Sequence, residues 1–217
     1  MKAVRRQPRH DARRARNDVY RQHIFEAAEQ VFAERGFETA TLQEIGKRVG
    51  LSMGTIYGIF PSKGEMLQAI LDARGESILE LVRDVAGRGA GGRDTLKALL
   101  EGYIDFFVGH PAFLQMHLRQ GSSWVLSPEN GSSGSRVRVW SEIHRLQADI
   151  FRRGVKDGSF IDEEPGLLAK LFSALDQVLL SEWVAEGMKA PRDELVKRLD
   201  AIVERTFCKR PLGKRAR

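Results

Sequence analysis

The 217-residue chain contains a single cysteine, Cys208. One thiol excludes an intramolecular disulfide and any cysteine-based zinc site within one chain, and it fits a reduced, cytoplasmic compartment. No apolar run is long enough to span a membrane. The start, MKAVRRQPRHDARRARNDVYR, is basic but lacks the apolar core of a signal peptide. No stretch alternates apolar and polar residues as a half-buried strand does. Enzyme motifs are missing too: there is no nucleophile elbow, no phosphate loop and no paired-histidine zinc helix. Gly87, Gly89 and Gly92 do fit G-x-G-x-x-G. That fingerprint needs a strand before it, whereas a helical pattern precedes it here, so the stretch reads as an interhelix linker. The expectation is an all-α protein with no catalytic residue, no cofactor and no metal site; His117 and His144 satisfy no ligand spacing.

The charge that is present is uneven. The net charge of +6 points toward a polyanionic partner. Lys2, Arg5, Arg6, Arg9, Arg13, Arg14, Arg16 and Arg21 crowd one end, and Lys209, Arg210, Lys214, Arg215 and Arg217 the other. Neither tail has periodicity, so residues 1–18 and 208–217 read as disordered basic segments. The C-terminal one reads as a solvated tail. For the N-terminal one, a DNA-contacting arm and a solvated tail are equally good readings.

Residues 41–60, TLQEIGKRVGLSMGTIYGIF, carry the densest local signals. Thr41 and Glu44 are spaced as a capping box, and Gly50 is placed to end the helix they start. Ser52 can cap a second short helix with Ile56 and Phe60 on its buried side. Two short helices and a tight turn make a helix-turn-helix, whose second helix enters the DNA major groove. At about 100° per residue, Gly54 and Gly58 fall opposite Ile56, and Thr55 and Tyr57 flank them. Base contacts are expected from Thr55 and Tyr57, from Met53 by apolar contact and from Gln43. Gly54 and Gly58 would permit close backbone approach. Thr41 and Ser52, at helix N-termini, are expected near phosphates. Lys63, a cation in the first turn of the fourth helix, is expected on a phosphate as well, since that helix's own dipole disfavours it there.

Ile24 to Leu71, and above all Gly54-Thr55-Ile56-Tyr57, Phe60 and Ser62-Lys63, resemble the DNA-binding domain of the TetR family of bacterial transcriptional regulators. Tyr57 matches that family's phosphate-contacting tyrosine, while Gly58 stands where relatives often carry a larger side chain. The resemblance covers about the first third of the chain. It implies a DNA-binding domain over residues 19–71 and a helical effector-binding and dimerisation domain over residues 72–207; the helical spacing of Ile24, Ala28, Val31 and Phe32 itself predicts a first helix from about Asp18 to Arg35, ended by Gly36. The resemblance further implies a homodimer built from the last two helices, where Leu171, Leu175, Leu179, Leu199 and Val203 are the apolar residues expected at the interface.

In the second domain, Asp94 is placed to cap a helix, and residues 128–135, PENGSSGS, form a loop by composition. Part-polar and aromatic residues on apolar helices, Phe106, Phe113, His117, Trp124, Trp140 and His144, are the candidates for a small, largely apolar effector. The expected function is a dimeric repressor that binds a palindromic DNA operator and is released by that effector. The alternatives are a co-repressed or activating regulator of the same kind, and a sequence-tolerant chromosome-architecture protein.

Overall fold

The computed structural model describes residues 7–89, 91–121 and 134–209, the side chains of residues 7–18 and of Ser135 excepted. Among these residues there are nine helices and no strand beyond an isolated bridge between Phe160 and Cys208. Among the described residues no helix is long and apolar enough to cross a membrane. The chain divides into two compact units, one of residues 7–71 and 112–120, the other of the described residues in 72–111 and 121–209.

The first unit holds α1 (Gln7–Arg35), α2 (Leu42–Val49), α3 (Met53–Ile59), the start of α4 (Lys63–Gly87) and α6 (Pro111–Arg119). α1 begins eleven residues before the expected Asp18. Residues 9–18 contain neither Gly nor a β-branched side chain and are rich in Ala and Arg, strong helix formers, while Pro8 sits in the first turn where its missing N–H costs nothing. Ile24, Ala28, Val31 and Phe32 are buried at the spacing of one helical stripe. Gly36, at φ +79°, ends α1 and donates to Phe32 O at 2.9 Å. Phe37 then folds back on Phe32 with centroids 5.6 Å apart.

The second unit holds the rest of α4, then α5 (Gly92–Gly109), α7 (Gly134–Asp157), α8 (Pro165–Ala185) and α9 (Arg192–Phe207). α7 packs on α5 and α8, and α9 on both of the same helices. Phe151 lies 5.1 Å from Phe160, 5.2 Å from Phe207 and 6.1 Å from Phe172, centroid to centroid. Phe160 reaches this cluster because its N–H donates to Gly154 O at 3.0 Å and Ile161 N–H donates to Phe207 O at 2.8 Å.

Three expectations are corrected here. Asp94 does not cap α5; Gly91 occupies the cap and Asp94 lies in the first turn. The start of α5 also crosses α7 closely: a Cβ on Gly92 would sit 2.6 Å from Gly154 Cα. In α7 the spacing of Val139, Ile143 and Ile150 predicts Leu146 inward as well; Leu146 is only half-buried, and Gln147 takes the buried place on that stripe. Leu179, Leu199 and Val203 are buried within their own chain, because α9 turns its apolar stripe toward α5 and α8. They are core residues rather than interface candidates. His110 Nδ1 lies 2.7 Å from Phe106 O and closes α5.

Gly154 tests the crossing. A Cβ there would overlap the Phe160 ring, so Gly154→Ala should destabilise the protein by about 1–3 kcal/mol, the cost of overpacking. Denaturant melting reads this directly, and an unchanged midpoint would mean that the Phe160 segment yields without loss.

Candidate nucleic-acid interface and ligand cavity

α2 is fixed at both ends by its own sequence. Thr41 Oγ1 accepts from Glu44 N at 3.2 Å, and Glu44 Oε2 accepts from Thr41 N at 3.0 Å. The Thr41 backbone and hydroxyl donors, with Arg35 nearby, hold the Glu44 carboxyl below its usual range. Gly50, at φ +68°, supplies the left-handed turn. Arg48 forks onto Glu34 with two 2.9 Å bonds and ties α2 to α1.

α3 is short and is placed by contacts to α2. Ser52 caps it, accepting from Thr55 N at 3.2 Å, and the Ser52 and Thr55 hydroxyls lie 2.9 Å apart. Ile56 is fully buried. A Cβ on Gly46 would meet Ile56 Cγ1 and Met53 Sδ at 3.3 Å each. The Met53 sulfur thus packs back on α2, and the side chain is only half exposed. Phe60 is buried beneath Arg21, whose guanidinium carbon lies 4.7 Å from its ring centroid. What remains outward is Gln43, Gly54, Tyr57 and Gly58, with Tyr57 51% exposed. A Cβ on Gly58 would meet nothing within 4 Å. Neither outward glycine is therefore required by packing.

Lys63 is placed differently from the expectation. Its ammonium donates to Phe37 O at 2.6 Å and to Glu38 O and Ala40 O at 2.9 Å each. It also lies 4.6 Å from the Phe37 ring centroid. Three donors meet three carbonyls, so the cation that seemed to require a phosphate is explained by the loop between α1 and α2. Ser62 opens α4, its hydroxyl accepting from Glu65 N at 3.1 Å.

α8 leaves one apolar face outward. Leu167, Leu171 and Val178 are exposed, Val178 by 61%, and Leu175 is half-buried between them. Only Leu171 and Leu175 of the five residues expected at a dimer interface lie on this face. Glu164, not foreseen as a cap, starts the helix by accepting from Gly166 N and Leu167 N.

The six effector candidates are divided. Phe113 and His117 lie on α6 in the first unit, both buried, with ring centroids 5.9 Å apart. Phe106, Trp140 and His144 belong to the second unit, and Trp124 lies outside the described residues. Of these only Trp140 lines the cavity found inside the second unit, of about 20 Å³. Ile78 of α4, Phe107 of α5 and Ile143 of α7 supply its apolar wall. Its polar wall was missed. Gln147 Nε2 donates to the Tyr103 hydroxyl at 3.0 Å, and Ser173 Oγ donates to Gln147 Oε1 at 3.3 Å. Asp176 completes the wall, 2% exposed, with no hydrogen-bond partner on either oxygen. Burial pushes its carboxyl well above the usual range. Burial first, and Asp176 second, also raise the Tyr103 hydroxyl. The periodic signal was available: Asp176 lies four residues after Phe172 and four before Leu180, within the buried stripe of α8. Cys208 is half-buried and its thiol is pushed up to about 11, chiefly by burial, so it is a poor nucleophile.

Replacing Lys63 distinguishes the two roles of its ammonium. Lys63→Ala should destabilise the fold by about 1–3 kcal/mol, for lost charge-assisted bonds. The slope of log K against log salt for DNA binding should stay the same. A slope flatter by about one unit would restore Lys63 to a phosphate.

Comparison with known proteins agrees with this architecture. The transcriptional repressor KstR2 of Rhodococcus jostii (strain RHA1) is 25% identical over 183 residues, covering 84% of this chain and 88% of that protein. The structure of the ketosteroid regulator KstR2 of Mycobacterium tuberculosis superposes with a TM-score of 0.71 at 21% identity, over 88% of this chain and 96% of that one. That of FadR from Bacillus subtilis, in complex with stearoyl-CoA, does so with a TM-score of 0.66 at 16% identity, over 84% and 96%. Residues 24–70, which contain α2, α3 and the start of α4, match the family described as bacterial regulatory proteins, tetR family. Over residues 24–70 the chain therefore carries the DNA-binding domain of the tetR-family bacterial regulatory proteins, and the relatives it resembles are transcriptional regulators.

Proposed function

We propose that this protein is a cytoplasmic repressor that binds a palindromic operator as a homodimer and is released by a small, largely apolar effector. The observation that carries the reading is the outward face of α3: its apolar residues are used against α2, while Gly54, Tyr57 and Gly58 stay exposed. A ridge of glycines lets backbone approach the groove closely. Thr55 and Tyr57, with Gln43 and Met53, are the side chains left to read bases. Thr41 and Ser52, at the N-termini of α2 and α3, take phosphates. With so few base contacts, sequence-dependent DNA shape carries a larger share of specificity.

Residues 19–71 act as the DNA-binding domain and residues 72–207 as the effector-binding and dimerisation domain, flanked by basic tails. The exposed apolar face of α8, with Leu171 and Leu175, is what the second copy covers. A two-fold protein presents two α3 helices about 34–36 Å apart to match the operator half-sites. α4 starts beside the α1–α2 loop and continues past residue 71 into the second domain, so an effector that favours a displaced α4 changes that separation. Its leverage is its differential affinity for the two states, about 1–3 kcal/mol. The naming of a relative as a repressor and the stearoyl-CoA held by FadR support the repressor and effector parts of this reading.

Gly58→Ala is the test. The added methyl enters open space, so helix propensity should raise stability by up to about 1 kcal/mol. Operator affinity should nonetheless fall by about tenfold or more, the methyl standing between backbone and groove. A variant that is more stable and binds operator as tightly as the wild type would remove the glycine ridge from the interface.

A further inference from the structure

We infer that the cavity between α5, α7 and α8 is built for the ammonium group of an organic amine, seated on the Asp176 carboxylate among the rings of Tyr103, Phe107 and Trp140. The inference rests on the effector-binding reading of the second domain and gives the effector a charge.

A buried carboxyl without a partner is complemented either by a cation or by a neutral hydrogen-bonding group. Three observations choose between them. Tyr103, Gln147 and Ser173 already hydrogen-bond to one another, whereas both oxygens of Asp176 stand without a partner. Among the described residues no lysine, arginine or histidine lines the cavity, so an anionic ligand group finds no counter-charge from them. The remaining wall is aromatic and aliphatic. Aromatic faces carry negative charge density that attracts a cation and offers little to a hydroxyl or carbonyl. The cavity as it stands has room for about one water. It therefore accepts the charged head, and the body of the amine lies toward Trp140, which is only half-buried.

This arrangement fixes a proton balance. Of the described groups lining the cavity from α4, α5, α7 and α8, only Tyr103 and Asp176 titrate, and α9, which also packs on α8, contributes none among the described residues. Burial and Asp176 both keep the Tyr103 proton in place. Burial raises the Asp176 carboxyl well above its usual range and so favours its protonated form in the free protein. A bound cation makes the carboxylate the favoured form, and the Asp176 proton leaves to solvent. Amine affinity therefore rises with pH, by about tenfold per unit while the free protein holds that proton. A neutral ligand that accepts a bond from the carboxylic acid shows the opposite slope.

The probes are 2-phenylethylamine, protonated throughout, and its near-isostere 2-phenylethanol, titrated calorimetrically into the full chain from about pH 5.5 to 8.5. At the upper end the amine should bind at least about tenfold more tightly than the alcohol. It should release one proton per ligand, read from buffers of different ionisation heat. Asp176→Asn should abolish both the preference and the proton release. An alcohol that binds as tightly, an amine affinity that falls with pH, or no amine binding overturns the inference. The wild-type probe pair and proton count decide the matter without the variant, should Asp176→Asn fail to fold. Operator release is measured separately. An amine that binds with proton release but leaves DNA bound sinks the effector-release reading alone. Release by ligands that show no charge preference sinks only the ammonium site.

Discussion

A seven-residue helix cannot sustain itself, because nucleation is costly and so few residues return too few hydrogen bonds. α3 is therefore a product of its contacts, and one of these is its crossing of α2 at Gly46. A side chain at that position would press on Ile56 and Met53 at 3.3 Å, so α2 and α3 cross as closely as they do because residue 46 has none. Ile56 and Phe60 then bury one side of α3, Ser52 holds its first turn, and the other side is left to solvent. Everything proposed for DNA recognition depends on that one-sidedness. The supports are themselves interlocked: Arg48 holds α2 to α1 through Glu34, and Lys63 gathers the carbonyls of the α1–α2 loop. Charged residues in a DNA-binding domain invite assignment to phosphates. Here two of them hold the scaffold.

The second unit applies the same logic on a larger scale. Glycines at 92 and 154 bring α5 and α7 together, and the Phe151 cluster fills the space beside the crossing. α8 lies across this core with two apolar faces. One, with Leu168, Phe172 and Leu179, meets α7 and α9; the other, with Leu167, Leu171 and Val178, stays exposed. Asp176 sits on the inner face, where a carboxyl without a partner costs stability. A buried polar group with no structural partner marks a place where folding alone does not account for the residue.

The parts legible in the sequence were those with local causes. Thr41 with Glu44, Gly36, Gly50 and Ser52 act on neighbours within four residues, and each sits in the structure as its spacing implies. The absence of strand periodicity settled the fold class for similar reasons. What failed depended on distant partners. The apolar stripe of α9 is plain in its i, i+4 spacing, yet spacing does not say whether a stripe meets its own chain or a copy. Leu179, Leu199 and Val203 meet their own chain. Lys63 reaches carbonyls some 25 residues earlier, a pairing no local pattern encodes. The cavity was misjudged because aromatic content drew notice to Phe106, Phe113 and His144. Gln147 and Asp176, lying in register on buried stripes, carried the stronger anomaly.

The central proposal is that the outward ridge of α3, presented twice by a dimer, reads a specific inverted repeat. The most direct measurement is selection of bound duplexes from a random-sequence pool at fixed salt, followed by affinity for the enriched and for unrelated DNA. The account predicts an inverted repeat with half-sites about one helical turn apart, bound about 10³-fold or more tightly than unrelated sequence. No enriched sequence, with equal affinity for all duplexes at the same salt, would contradict it and leave a sequence-tolerant DNA-binding protein in its place.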